Sequence, residues 1–293
     1  MPRRLIFFLV ATVLFTNAFI PTPSLAAEVL VVADTQLRPA TEIISGIRKS
    51  LGSSLKIISP EEAKRGLNSA LEREGARVVV ALGKEALTEA LTLPSSIPVI
   101  FDMVVTPPAI SRPNTTGFYL ATPVREYTEL IRKHLHSIRQ FAVVGSRDQL
   151  SLLSRGDAPQ PVYYTVRNTA EFVSAIRRLE DADAILLLPD SAVLTTAALD
   201  EAYLLSFRKG IPLLGVSERN VKEGALVALV VDMVNVGRLI GSAAAKALKG
   251  VDIGQFPPSP PRKFDIYLNT ATARRMKINL PDEMVRIAKR VYP

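Results

Sequence analysis

Three observations in the sequence predict an α/β protein of two similar lobes, each a parallel sheet flanked by helices. Short apolar runs end in turn residues, and segments of helical period separate those runs. The same order of runs and segments recurs in the two halves of the 293-residue chain.

In the first half the apolar runs are Val29–Ala33, Leu55–Ile58, Val78–Leu82, 97–101 and 116–119. In the second half they are Phe141–Gly145, Val162–Thr165, 184–188, 211–215 and 225–231. Continuous apolar runs of this length are what strands buried on both faces require. The members also match in character, since Val78 to Gly83 and Ile185 to Asp190 both lead into helix-like sequence, and Ile97-Pro98 is echoed by Ile211-Pro212. Helical periodicity falls over 41–51, 60–74, 169–180 and 195–209. Strand and helix alternating in this way predict Rossmann-like units whose strands run parallel.

The chain continues past the second set of runs. Residues 233–249 carry Val236, Leu239, Ile240, Ala243 and Ala247 on one helical face, and Gly237 and Gly241 let that face approach a neighbour closely. Pro257, Pro258, Pro260 and Pro261 then exclude helix and predict an extended linker. A last strand over 264–268 precedes helices over 270–276 and 282–291. The expected division is therefore an N-terminal lobe of 27–118 with 233–262 and a C-terminal lobe of 119–232 with 263–293. The chain would cross between them three times, near Tyr119, near Asp232 and within the proline-rich segment, forming a hinge that bends without twisting.

Residues 1–26 read as a cleavable signal peptide, with Arg3 and Arg4, an apolar stretch over 5–20, the breakers Pro21 and Pro23, and small residues before a cut ahead of Ala27. That stretch is interrupted by Thr12, Thr16 and Asn17 and falls short of the roughly 20 apolar residues that span a bilayer. The expected location is the periplasm. The chain has no cysteine, so neither disulfides nor a lipid anchor at the cut site are expected. Basic residues give a net charge of +8 but are scattered, and aromatic residues make up only 6%. That pattern predicts an ordinary solvated surface and no nucleic-acid partner.

Several segments carry a family resemblance. Asp183 to Asp190 and Lys209 to Glu218 come first, followed by Gly224-Ala225-Leu226, Asp232, and Gly237-Arg238-Leu239 through to Gly250. In order and character they resemble the ABC-transporter substrate-binding family of the type I periplasmic-binding-protein superfamily, which includes tryptophan- and tyrosine-type binders. The resemblance covers nearly all of the chain after the signal. Two stretches depart from it: the family's Asp-Pro pair is replaced at Val105-Thr106-Pro107-Pro108, and the first turn reads Asp34 to Pro39. The resemblance implies the type I periplasmic-binding-protein fold and a monomeric receptor. It also implies a small-molecule ligand, an ABC permease in the inner membrane as partner, no cofactor and no catalysis. A periplasmic sensor of the same fold, acting on a signalling partner, is the alternative.

In parallel lobes, ligands collect at the carboxyl ends of strands, where helix N-termini offer free N–H groups. The candidates there are Thr35, Gly83 and Asp102 in the first lobe, and Ser146, Asp190, Ser191, Ser217, Glu218 and Asp232 in the second or at the hinge. An amino-acid-like ligand would place its carboxylate on first-lobe hydroxyls and amides and its ammonium on Asp190 or Glu218. The plainer role for Asp190 is N-cap of a helix over 191–199, and for Asp232 it is holding the hinge by bonding backbone N–H groups.

Catalytic signatures are absent from the sequence. His134 and His136 stand two apart in a helix-like stretch and cannot share a face. Gly215 to Arg219 begins like a nucleophile elbow but lacks its final glycine, and no glycine-rich phosphate loop occurs.

Overall fold

The computed structural model describes residues 27–105, 111–120, 124–151, 153, 161–190, 193–261 and 263–293. The signal-peptide reading over 1–26 and the candidate Ser191 lie outside the described residues.

The first sheet contains β1 (Val29–Ala33), β2 (Leu55–Ile58), β3 (Val78–Leu82), β4 (Val99–Asp102) and β5 (Thr115–Gly117) in the order β2-β1-β3-β4-β5, all parallel. β1 and β3 are buried along their whole length, which is why their sequences are unbroken apolar runs. The second sheet joins β6 (Phe141–Gly145), β7 (Val162–Thr165), β8 (Ala184–Leu187), β9 (Leu213–Gly215), β10 (Val227–Val231), β11 (Phe264–Asn269) and β12 (Arg290–Tyr292) in the order β12-β11-β10-β9-β8-β6-β7. Each sheet has its own apolar clusters on its two faces.

Helices cover both faces, and their ends follow capping chemistry. α1 is Arg38–Ser50, and α2 is Pro60–Glu74, whose Ser59 cap accepts from the Glu62 N–H at 3.1 Å. α3 (Lys84–Ala90), α4 (Val124–His134), α5 (Arg147–Ser151) and α6 (Thr169–Arg178) follow. α7 (Thr196–Lys209) is capped by Thr195 and closed by Gly210 at φ 69°, and α8 (Glu218–Glu223) is capped by Ser217. α9 (Met233–Leu248), α10 (Thr270–Arg275) and α11 (Asp282–Ile287) complete the set.

α9 lies directly on α1 along a seam of glycines. A Cβ added at Gly46 would fall 2.1 Å from the Val234 carbonyl oxygen, and one at Gly237 would fall 2.0 Å from that of Ile43. The two backbones therefore touch, which any larger residue would prevent. The chain leaves the second sheet at Val231 and enters this seam within two residues, so α9 belongs structurally to the first sheet. The three connecting stretches run side by side: the Ser259 N–H donates to the Gly117 carbonyl oxygen at 3.1 Å, and the Asp232 N–H donates to that of Lys263 at 3.3 Å.

Two expectations are corrected. The last helix stops at Ile287, because Ala288 turns extended and residues 290–292 pair parallel to β11 as an edge strand. β11 itself runs antiparallel to β10, since it enters the sheet from the hinge without a crossover helix.

Candidate functional site

In the first sheet β1 and β3 lie side by side while β2 continues on the other flank of β1, and in the second β6 and β8 are neighbours with β7 outside β6. Each sheet therefore has a topological switch point, the place where parallel α/β sheets open a crevice beyond their strand ends.

At the second switch point Asp190 follows β8 and is 5% exposed. Its Oδ2 accepts the Ser146 N–H at 2.8 Å, tying the ends of β8 and β6 together. Among the described residues the next helix begins at Thr196, where the hydroxyl of Thr195 accepts the Ala198 N–H. The backbone oxygen of Asp190 accepts the Leu194 N–H at 2.7 Å.

At the first switch point Thr35 sits in an exposed turn whose Asp34 carboxylate accepts the Gln36 N–H at 2.9 Å. Gly83 caps α3 at φ 102°, a left-handed conformation that suits glycine, and a Cβ there would meet nothing within 4 Å. Its N–H donates to the Asp102 carbonyl oxygen at 2.9 Å. The Asp102 side chain is sealed inside the lobe, with no exposed surface and no hydrogen-bond partner for either oxygen among the described residues. Burial pushes its carboxyl up to about 7, while the nearby Met103 N–H, outside hydrogen-bonding geometry, acts the other way.

The remaining candidates are engaged structurally. Ser217 shares a reciprocal cap with Asn220, donating its hydroxyl to Asn220 Oδ1 at 2.8 Å and accepting the Asn220 N–H at 3.2 Å. Asp232 caps α9 through the Asn235 N–H at 2.9 Å and meets Lys263 at 3.3 Å. Burial opposes its ionisation, but those two partners prevail and hold it below the ordinary aspartate range. Glu218 accepts a hydrogen bond from the Tyr292 hydroxyl, its strongest influence, and pairs with Lys222 at 3.2 Å. Both, together with Arg38, hold its carboxyl below the ordinary glutamate range.

Arg38 was not among the candidates, although its turn stood out in the sequence. It reaches from α1, after β1, to Glu218, after β9, at 3.5 Å. This ion pair joins the two sheets' strand ends, so the crevices face one another. A cavity of about 480 Å³ opens beside it, between the start of α1, the start of α8 and the hinge stretches around Val231 and Phe264. Ser217, Glu218 and Asp232 line that cavity, whereas Thr35, Gly83, Asp102, Ser146 and Asp190 do not.

The family model described as ABC transporter substrate binding protein matches residues 59–292. Among solved structures, an ABC domain in complex with L-Trp from Streptococcus pneumonia is 17% identical, covering 90% of this chain and 99% of its own, with a TM-score of 0.60. A ligand-free, open substrate-binding protein with adhesive properties from Clostridium difficile is 14% identical, at 91% and 99% coverage and a TM-score of 0.67. A conserved domain protein from Vibrio cholerae is 20% identical, with the same coverage and a TM-score of 0.59. No curated protein matches the sequence. At these identities the structural likeness speaks for the fold.

Proposed function

We propose that this chain, which belongs to the family of ABC transporter substrate-binding proteins, captures a small polar, amino-acid-like solute between its lobes and delivers it to an ABC importer. The observation that carries the reading is the Arg38–Glu218 contact, which sets strand ends of the two mostly parallel sheets face to face. Ligand held between such lobes favours the closed arrangement by its differential affinity for it, and a permease can read that closure. In this reading the Thr35 hydroxyl receives the ligand's carboxylate and Asp190 its ammonium, while the Gly83 N–H stays bonded to the Asp102 carbonyl oxygen. Glu218, already neutralised by Lys222 and Arg38, serves closure instead. The lobes are 27–118 with 233–262 and 119–232 with 263–293, and the protein works as an exported monomer in the periplasm, without catalysis.

The test is thermal unfolding of residues 27–293 against amino acids, sugars, nucleosides and short peptides. A ligand present at 100 times its dissociation constant adds about 2.7 kcal/mol of stability. Amino acids are expected to raise the midpoint, and Asp190→Ala is expected to weaken that binding at least tenfold. A shift with sugars alone, or an affinity untouched by Asp190→Ala, overturns the ligand assignment.

A further inference from the structure

On the side away from the crevice, the first lobe ends in a patch of cations without counter-ions. α1 starts beyond the carboxyl end of β1 and runs back along the sheet. Its last turn, with Arg48 and Lys49, therefore lies at the amino ends of the strands. α9 runs the same way beside it, since Gly237 packs on Ile43 and Gly46 while Gly241 packs on Ile47 and Ser50. The C-terminal end of α9 thus brings Lys246 and Lys249 to the same place. Phe256 joins them: Gly254 abuts Asn114 just before β5, and the Phe256 carbonyl oxygen accepts the Thr116 hydroxyl at 2.7 Å.

All four cations are exposed, and none of their side chains makes an ion pair or hydrogen bond among the described residues. Lys246 Nζ stands 5.0 Å from the centroid of the Phe256 ring, which is 40% exposed. Residues 43–58 and 243–256 contain a single carboxylate, Asp252, whose Oδ1 accepts the Gly254 N–H at 2.8 Å. Basic residues in a last turn ordinarily answer the helix dipole. In the second lobe two such residues also meet acids: Lys133 of α4 pairs with Glu283 at 3.0 Å, and Arg177 of α6 with Glu201 at 3.3 Å. At the far end of the first lobe the positive charge is left open, beside an exposed aromatic ring.

We infer that this end of the first lobe rests on an anionic lipid bilayer, with Arg48, Lys49, Lys246 and Lys249 at the phosphate level and the Phe256 ring among the headgroups. Cations held near an anionic surface and an apolar ring at the interface are the two elements of peripheral membrane attachment. Such attachment needs no spanning helix, and none of the described helices is long and apolar enough to be one. The 13 residues of α1 separate this end from the crevice by roughly 20 Å at about 1.5 Å per residue. The attached protein therefore keeps its crevice open to solute while it is confined to the plane of the membrane.

The test is co-sedimentation of residues 27–293, which exclude the apolar stretch over 5–20, with vesicles of equimolar phosphatidylglycerol and phosphatidylcholine. Vesicles of phosphatidylcholine alone are the neutral comparison. The parent should bind the anionic vesicles and not the neutral ones. Each cation near an anionic surface is worth about fivefold in partitioning, so Lys49→Gln, Lys246→Gln and Lys249→Gln together should weaken binding about a hundredfold. Arg139, Arg178 and Arg208 of the second lobe are likewise exposed and without side-chain partners among the described residues. Replacing those three by glutamine lowers the net charge equally and should leave binding within about threefold. Phe256→Ser, at unchanged charge, should weaken it about fivefold or more. Raising the salt from about 0.1 M to about 1 M shortens the Debye length from about 10 Å to about 3 Å and should release the protein. Failure to bind the anionic vesicles, equal binding to the neutral ones, or equal losses in the two triple variants each overturns the inference. Undiminished binding of Phe256→Ser overturns it as well, in favour of a soluble polyanion.

Discussion

Replacing Asp102 by asparagine should remove most of one pH-dependent component of this protein's stability. Asp102 ends β4 on the same face as Ile100, whose cluster includes Val236 and Ile240 of α9, and its carboxyl is unexposed and unpartnered among the described residues. Burial raises its pKa from 3.8 to about 7. Between those values the folded chain holds a proton that the unfolded chain has released. Stability from this group is therefore fully present below the unfolded value and is lost as pH rises through the folded one. A shift of about three units corresponds to a ceiling of about 4 kcal/mol at 1.36 kcal/mol per unit. Of this, about 2.5 kcal/mol falls between about pH 5 and about pH 8. Urea unfolding of the parent and of Asp102→Asn at both pH values isolates the effect, because every other titrating group is common to the two proteins. The parent should lose about 2.5 kcal/mol more than the variant on going to the higher pH. Equal losses in the two proteins would refute the assignment of that proton to Asp102.

Further expectations follow from contacts already described or from neighbouring ones. The Arg112 guanidinium donates to the carbonyl oxygens of Leu93, Pro94, Ile97 and Pro113 and to Thr115 Oγ1, with the shortest bond at 2.6 Å. Arg112→Met should cost about 3 kcal/mol, read as a fall in the urea midpoint at unchanged slope. Tyr127 is fully buried, and its hydroxyl donates to the Gly215 carbonyl oxygen while accepting the Leu229 N–H at 2.7 Å. It bridges β9 and β10 at the end of their paired stretch, so Tyr127→Phe should cost about 2 kcal/mol in the same assay and leave the fold intact by circular dichroism. Gly237→Ala would thrust a methyl group into the Ile43 carbonyl and should destabilise by about 3 kcal/mol, whereas Gly52→Ala, with open space around it, should cost far less.

The strands were the most readable part of the sequence, since burial on both faces leaves the same unbroken apolar run whatever the neighbours are. Val29–Ala33, Val78–Leu82 and Phe141–Gly145 have the predicted bounds. Helix starts were readable where a cap was followed by an apolar period, as at Ser59 and Thr195. β12 escaped because three residues carry no periodicity, and their pairing to β11 is decided by tertiary contact. Residue types at strand ends were equally ambiguous. Ser, Asp and Glu there serve ligands and helix caps with the same atoms, and local hydrogen bonds occupy Ser217 and Asp232. Arg38 could not be found by any local rule, because its partner Glu218 lies on the other sheet. The burial of Asp102 also depends on what α9 lays over the end of β4, and α9 begins about 130 residues further on.

The glycine seam between α1 and α9 bears on how lobe motion could be watched. Helices in backbone contact cannot slide past one another without a clash, so two spectroscopic labels placed across that seam would keep a constant separation through any opening. Leu239 on α9 and Leu204 on α7 are 41% and 53% exposed and ride on different sheets. The chain has no native cysteine, so thiols introduced at these two positions would be the only ones available for labelling. A donor–acceptor pair attached there would convert solute capture directly into a change in energy transfer.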